Sequence, residues 1–190
     1  MEDLVEIRWH GRGGQGTKTA ATFLAETAIA HGKHGQGFPE YGPERMGAPM
    51  RGYTRISDSP INIHCAIDDP DIVVVLDDTL LTSENVTEGL KENGRLLVNT
   101  TVSPGEIREK IKLKSGKVFT VDATQISMDE IGRAMPNTPM IGALVKASPL
   151  LELEVILQDI KKKFSKKFND KVITGNLKSI ERAYQEVKEG

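Results

Sequence analysis

The chain is short of the residues that hold metals and of the stretches that cross membranes. Its 190 residues contain one cysteine, Cys65, so no disulfide framework can form within it and it cannot hold a cysteine-ligated iron–sulfur cluster. No apolar run approaches the roughly 20 residues needed to span a bilayer. A basic stretch followed by an apolar one is absent from the first residues, so no secretory signal is expected. Neither sign of charge dominates: 25 Lys+Arg against 27 Asp+Glu give a formal net charge of −2, which sets up no field to recruit nucleic acid or an anionic membrane. His10, His31, His34 and His64 are not spaced as metal ligands, and neighbours such as His64 and Cys65 on a strand point to opposite faces. These absences predict a cytoplasmic globular protein with no metal site of its own.

What is present is an alternation of short apolar runs and amphipathic stretches. Residues 4–9 read as a strand, residues 11–16 as a glycine-rich loop, and residues 17–31 as a helix with Gly32 past its end. This is the opening of a βαβ unit. Residues 35–52 carry Pro39, Pro43 and Pro49 among Glu40, Glu44, Arg45 and Arg51, and read as a long irregular segment of the kind that carries function. Residues 52–57 and 60–65 suggest a hairpin about Asp58-Ser59. The β-branched run at 72–76 reads as a strand buried on both faces, ended by Asp77-Asp78. A helix over 82–92 closed by Asn93-Gly94, strands at 96–99 and 118–121, and a helix at 141–147 follow. Leu153, Ile156, Ile160 and Phe164, then Ile173, Leu177, Ile180, Tyr184 and Val187, recur at helical spacing. The pattern predicts a single three-layer α/β domain over residues 1–190. Its sheet is mostly parallel, twisted and flanked by helices, and a C-terminal helical segment at 152–189 belongs to it.

The loop Gly11-Arg12-Gly13-Gly14-Gln15-Gly16-Thr17-Lys18 admits several readings. Gly11, Gly13 and Gly16 match a dinucleotide fingerprint, but the acidic residue such a site wants about 20 residues on is nearest at Glu40, inside the proline-rich stretch. Gly11 and Gly16 also have the gap of a P-loop, but the lysine arrives one place late, at Lys18. One position on a helix is about 100°, which turns that lysine from the phosphates. A tight turn that binds nothing needs fewer glycines than these. The loop also suits contact with an anionic group through main-chain N–H groups at a helix N-terminus, without nucleotide chemistry.

Three segments together resemble the gamma subunits of 2-oxoacid:ferredoxin oxidoreductases. Residues 8–16, Arg-Trp-His-Gly-Arg-Gly-Gly-Gln-Gly, resemble the family's opening G-x-G-G-Q-G loop. Residues 38–49, Phe-Pro-Glu-Tyr-Gly-Pro-Glu-Arg-Met-Gly-Ala-Pro, are similar to its G-P-E-x-R-G-G/A signature, and residues 136–143, Pro-Asn-Thr-Pro-Met-Ile-Gly-Ala, to its N-T-x-[ML]-[LI]-G-A segment. The Gly47-Ala48-Pro49 form looks like the pyruvate-type branch, pyruvate synthase. The resemblance implies an accessory subunit that is inactive alone. Its enzyme oxidatively decarboxylates a 2-oxoacid, acylates coenzyme A and passes electrons to ferredoxin. It implies thiamine diphosphate, Mg²⁺ and [4Fe-4S] clusters on alpha, beta and ferredoxin-like delta partner subunits, with coenzyme A accommodated near this one. A surface built for those subunits would expose apolar area, so the isolated chain is expected to pair with itself or lose stability.

On this reading the cofactor-binding candidates are Gly11, Gly13, Gly14, Gln15, Gly16 and Thr17, whose N–H groups and amide would face a coenzyme A phosphate or a bound cofactor, or else form a structural turn in contact with another subunit. Glu44, Arg45 and Arg51 would meet a partner carboxylate or that phosphate, or else anchor their loop through an internal salt bridge. Asn137 and Thr138 are ligand candidates too, although Thr138 before Pro139 also fits a helix cap. No residue is assigned to catalysis. Lys161, Lys162, Lys163, Lys166 and Lys167 read as a solvated helix face. A self-sufficient nucleotide-binding enzyme stays open as the alternative, as does service to 2-oxoisovalerate or 2-oxoglutarate in place of pyruvate.

Overall fold

Alternating strands and helices arrange themselves about one seven-stranded sheet in the computed structural model, which describes residues 4–40 and 46–190. The elements run β1 (Val5–Arg12), α1 (Thr17–Ala30), β2 (His34–Pro39), β3 (Pro49–Ser57), β4 (Ile72–Val75), α2 (Leu80–Ser83), β5 (Arg95–Asn99), α3 (Pro104–Ile111), β6 (Lys117–Val121), α4 (Ala123–Ile131), α5 (Asn137–Ala147), α6 (Leu153–Phe164), α7 (Asp170–Glu186) and β7 (Lys188–Glu189). The strand order is β2-β3-β1-β4-β5-β6-β7. Strands β1, β4, β5 and β6 form a parallel centre. β3 and β2 extend it antiparallel on one side, and β7 on the other.

The parallel strands are apolar on both faces because helices cover both. One face packs Ile7, Trp9, Ile72, Val74, Leu97 and Phe119 against α1, α4, α5, α6 and α7. The other packs Val73, Val75, Leu96, Val98 and Val118 against Leu80 of α2 and Ile107 of α3. The C-terminal helices join the same core through Ile156, Ile160, Ile180 and Ala183, as their spacing predicts. Trp9 is fully buried and its polar edge is satisfied: Nε1 donates to Thr54 Oγ1 at 3.0 Å, and that hydroxyl donates to Ala21 O at 2.8 Å.

Several local expectations are corrected. Residues 34–39 are a strand rather than the start of an irregular segment. Gly35 and Gly37 lie so close under α1 that its backbone leaves no room for side chains there. The antiparallel partners of β3 are β2 and β1, not residues 60–65, which form no strand. The helix expected over 82–92 shrinks to the single turn of α2, followed by turns that place Val86 and Leu90 against the sheet. Two helices, α3 and α4, went unread; each is capped at its start, by Ser103 with Glu106 and by Asp122. The βαβ opening is present in split form, since β3 lies between β1 and its parallel partner β2.

Candidate functional site

The carboxyl ends of β1, β4, β5 and β6 share one edge of the sheet. The path from β1 leaves along α1 on one face, and the path from β4 leaves through α2 on the other. Crevices at such a divergence are where open α/β sheets hold ligands. A crevice of about 370 Å³ opens there, lined by Gln15, Leu76, Asp77, Asp78, Asn99, Thr100, Thr101, Asp122, Thr124, Ala134 and Pro136.

The glycine-rich loop forms the crevice wall beside β1, and all three signature segments meet on it. Gly13 N donates to Ala48 O at 2.9 Å and Gly47 N to Gly13 O at 3.1 Å, which continues the β1–β3 ladder into the second segment. Gly16 has φ 82 and caps α1; a Cβ on it would lie 2.5 Å from Asn137 Nδ2 of the third. The left-handed backbone and the contact with Asn137 both call for glycine here. Glu44 and Arg45 lie outside the described residues.

Gln15 is engaged at both ends of its amide. Oε1 accepts from Arg12 N at 2.8 Å, and Nε2 donates to Asp77 Oδ2 at 2.7 Å. Asp77 also accepts from Thr79 N and Thr79 Oγ1, and Arg12 Nε lies 3.4 Å from its carboxylate. Burial pushes the Asp77 carboxyl up, but hydrogen bonds from Thr79 and Gln15 outweigh it and hold it below the usual carboxylate value. Arg12 reaches on to Gly47 O at 3.1 Å.

Helix α1 has no side-chain cap and no acidic residue in its first turn. Among the described residues, the N–H groups of Thr17, Lys18 and Thr19 have no hydrogen-bond acceptor in the protein. Two buried polar atoms beside them, Thr17 Oγ1 and Asn137 Oδ1, also lack partners. The free N–H groups and the Thr17 hydroxyl can donate to an anion at this helix end, while the Asn137 oxygen, an acceptor, cannot. Thr138 is buried on α5 and does not cap it: the helix begins at Asn137 after Pro136, with no side-chain cap.

Arg51 sits elsewhere. With His10, Glu40, Pro49, Met50, Leu80 and Glu84 it lines a separate cavity of about 210 Å³. Its guanidinium lies 3.7 Å from Glu40 and 3.5 Å from Glu84, the internal anchoring that its position in the loop suggested. Behind the glycine loop, buried Arg8 donates to the carbonyls of Ile67, Asp68, Val86 and Glu88, and through Nε to His10 Nε2 at 3.1 Å. Desolvation, with Arg8 and Arg51 nearby, pushes His10 down to about 3.

Neither nucleotide reading gains from this geometry. Glu40 does follow the second strand, but β3 separates that strand from β1 and Arg51 is the charge beside it. Lys18 is exposed. No group of three or more His, Cys, Asp or Glu side chains that could hold a metal occurs among the described residues. No helix among them is long and apolar enough to cross a membrane. The sequence reading gives Arg12 no role and treats Asp77 only as the end of its strand. The signal for Asp77 was its place at the end of the strand that neighbours β1.

Comparison with known proteins places these features in a family context. The model of the pyruvate ferredoxin/flavodoxin oxidoreductase family matches residues 6–186. The chain is 51% identical over 183 residues to the pyruvate synthase subunit PorC of Thermotoga maritima, covering 96% of this chain and 94% of that one. It is 47% identical over 181 residues to the pyruvate/ketoisovalerate oxidoreductases common subunit gamma of Thermococcus kodakarensis, covering 95% and 96%. The crystal structure of the pyruvate oxidoreductase subunit PORC of Thermotoga maritima superimposes with a TM-score of 0.89 at 48% identity, covering 100% of this chain and 99% of that one.

Proposed function

The chain belongs to the pyruvate ferredoxin/flavodoxin oxidoreductase family, and from that premise we propose that it is the gamma subunit of a pyruvate synthase. The assembled enzyme oxidatively decarboxylates pyruvate, transfers the acetyl group to coenzyme A and passes the electrons to ferredoxin. The observation that carries the reading is the meeting of the three signature segments on one loop, in a chain similar over nearly its whole length to such subunits. Thiamine diphosphate, Mg²⁺ and [4Fe-4S] clusters belong on the alpha, beta and delta partners in this reading. The single cysteine is in keeping with it, since one thiolate cannot hold a cluster. The whole chain, residues 1–190, acts as one unit in the cytoplasm.

This subunit binds and orients. The N–H groups of Thr17, Lys18 and Thr19 at the start of α1 hold a phosphate of coenzyme A. Gly13, Gly14 and Gly16 keep the loop bare of side chains so that an anion reaches that helix end. Asn137 offers its amide at the same place, with Thr138 behind it on α5. Gly11 leaves room for the Thr17 hydroxyl, which would otherwise meet a Cβ at 2.2 Å. Gln15 shapes the loop through both ends of its amide and has one N–H left to offer the ligand. Arg51 serves the contact with a partner subunit, the role that the resemblance also implies for Glu44 and Arg45. No residue of this chain performs a bond-making step, and the choice of 2-oxoacid lies with the partners. A relative whose name assigns it to both pyruvate and ketoisovalerate enzymes supports that division of labour.

The test is co-purification. An affinity handle on this chain in its native cells should draw down three other polypeptides with the brown colour of iron–sulfur clusters, and the eluate should oxidise pyruvate only when coenzyme A is present. The chain purified alone should turn over neither ATP nor NAD(H). Recovery of the chain by itself, with nucleotide turnover, would reject the proposal.

A further inference from the structure

We infer that Asp77 is the positioning residue of the glycine loop: through Gln15 it fixes the N-terminus of α1 for an anionic ligand without meeting that ligand itself. The inference rests on the reading of that helix end as a coenzyme A contact. Asp77 follows β4, the parallel neighbour of β1, where the two paths across the sheet diverge. A carboxylate only accepts hydrogen bonds, so it dictates which end of the Gln15 amide faces it. Nε2 turns to Asp77, and Oε1 is thereby aimed at Arg12 N inside the loop. The same carboxylate holds Arg12, which donates to Thr79 Oγ1 and to Gly47 O. One side chain thus links β4, the glycine loop and the segment after residue 46. Its negative charge is offset by Arg12, so it does not oppose an anion bound nearby. What the arrangement leaves free are the N–H groups of Thr17, Lys18 and Thr19, with the Thr17 hydroxyl, a further donor, unpartnered beside them.

The chemistry supplies a discriminating pair of variants. In D77N, an amide that keeps its oxygen toward Thr79 presents a donor to the Gln15 donor. Rotating the Gln15 amide only moves the mismatch to Arg12 N. The double variant Q15E/D77N restores a donor facing an acceptor at both contacts, but moves the negative charge into the loop, next to the helix end. The assembled enzyme is compared in all three forms by thermal denaturation, by calorimetric titration of coenzyme A without 2-oxoacid, and by steady-state kinetics. D77N is expected to lower the melting temperature and weaken coenzyme A binding about tenfold, raising the KM for coenzyme A while the KM for pyruvate stays fixed. Q15E/D77N is expected to regain the wild-type melting temperature and yet bind coenzyme A more weakly than D77N. Wild-type melting and coenzyme A affinity in D77N would overturn the positioning role. So would an equal rise in both KM values, the mark of a merely structural loss. If the melting temperature falls and is restored as expected while coenzyme A affinity never changes, the Asp77–Gln15 coupling stands and the coenzyme A reading of the helix end fails.

Discussion

Gly16 and Asn137 touch: the place a Cβ would occupy on Gly16 lies 2.5 Å from Asn137 Nδ2. The contact joins the first signature segment to the third and sets α1 beside α5 at the mouth of the crevice. A Gly16→Ala change faces two penalties. The left-handed backbone costs about 1–2 kcal/mol in a residue with a side chain, and the methyl group would also displace Asn137. Urea denaturation of the purified subunit should show a loss of at least about 1 kcal/mol. The assembled enzyme should lose affinity for coenzyme A, because the helix end shifts. An unchanged urea midpoint would show that the loop relaxes freely.

Gly142 plays a packing role in the third segment. A Cβ there would lie 2.2 Å from the Ile180 carbonyl oxygen, so α5 and α7 meet backbone to backbone. Overpacking of this kind costs about 1–3 kcal/mol. Gly142→Ala should lower the thermal stability of the subunit without changing the coenzyme A affinity of whatever enzyme assembles. A stable variant with weakened coenzyme A binding would instead tie Gly142 to the ligand.

His10 makes the fold sensitive to acid. It is 2% exposed, accepts from Arg8 Nε, and is pushed by burial and by Arg8 and Arg51 down to about 3. In the unfolded chain it takes up a proton near its ordinary value of about 6.5. Between those values the unfolded state holds one more proton than the folded state. Stability therefore falls as pH falls below about 6.5, by about 1.4 kcal/mol per pH unit from this group, and is unaffected above it. His10→Gln keeps an acceptor for Arg8 but cannot titrate. Urea midpoints measured from pH 7 to pH 4 should decline less steeply in that variant by up to one proton's worth. Equal slopes would mean that His10 is protonated in the folded protein.

The architecture was legible where periodicity was strong. The run read as a strand at 72–76, found at Ile72–Val75, the apolar spacing of α6 and α7, and the strand–glycine loop–helix opening all lie where the sequence put them. β2 was missed because its pattern, His-Gly-Gln-Gly-Phe-Pro, has glycine where a strand usually carries an apolar side chain. Those glycines admit α1 at close range, a tertiary requirement that no local propensity encodes. At the site, the three segments could be named from the sequence, but their convergence could not. It depends on β3 lying beside β1 and on α5 starting against Gly16. The part given to Thr138 as a cap passed to no side chain at all, and Asp77 gains its importance from its contact with the Gln15 amide, which only the folded structure brings to it.

Reconstitution tests the central claim most directly. The other subunits of the proposed enzyme are prepared with and without this chain, and pyruvate-dependent reduction of ferredoxin is followed with and without coenzyme A. The account predicts that coenzyme A-dependent turnover appears only when this chain is added, and that the chain alone reduces nothing. Full coenzyme A-dependent turnover by the partners without it would contradict the account.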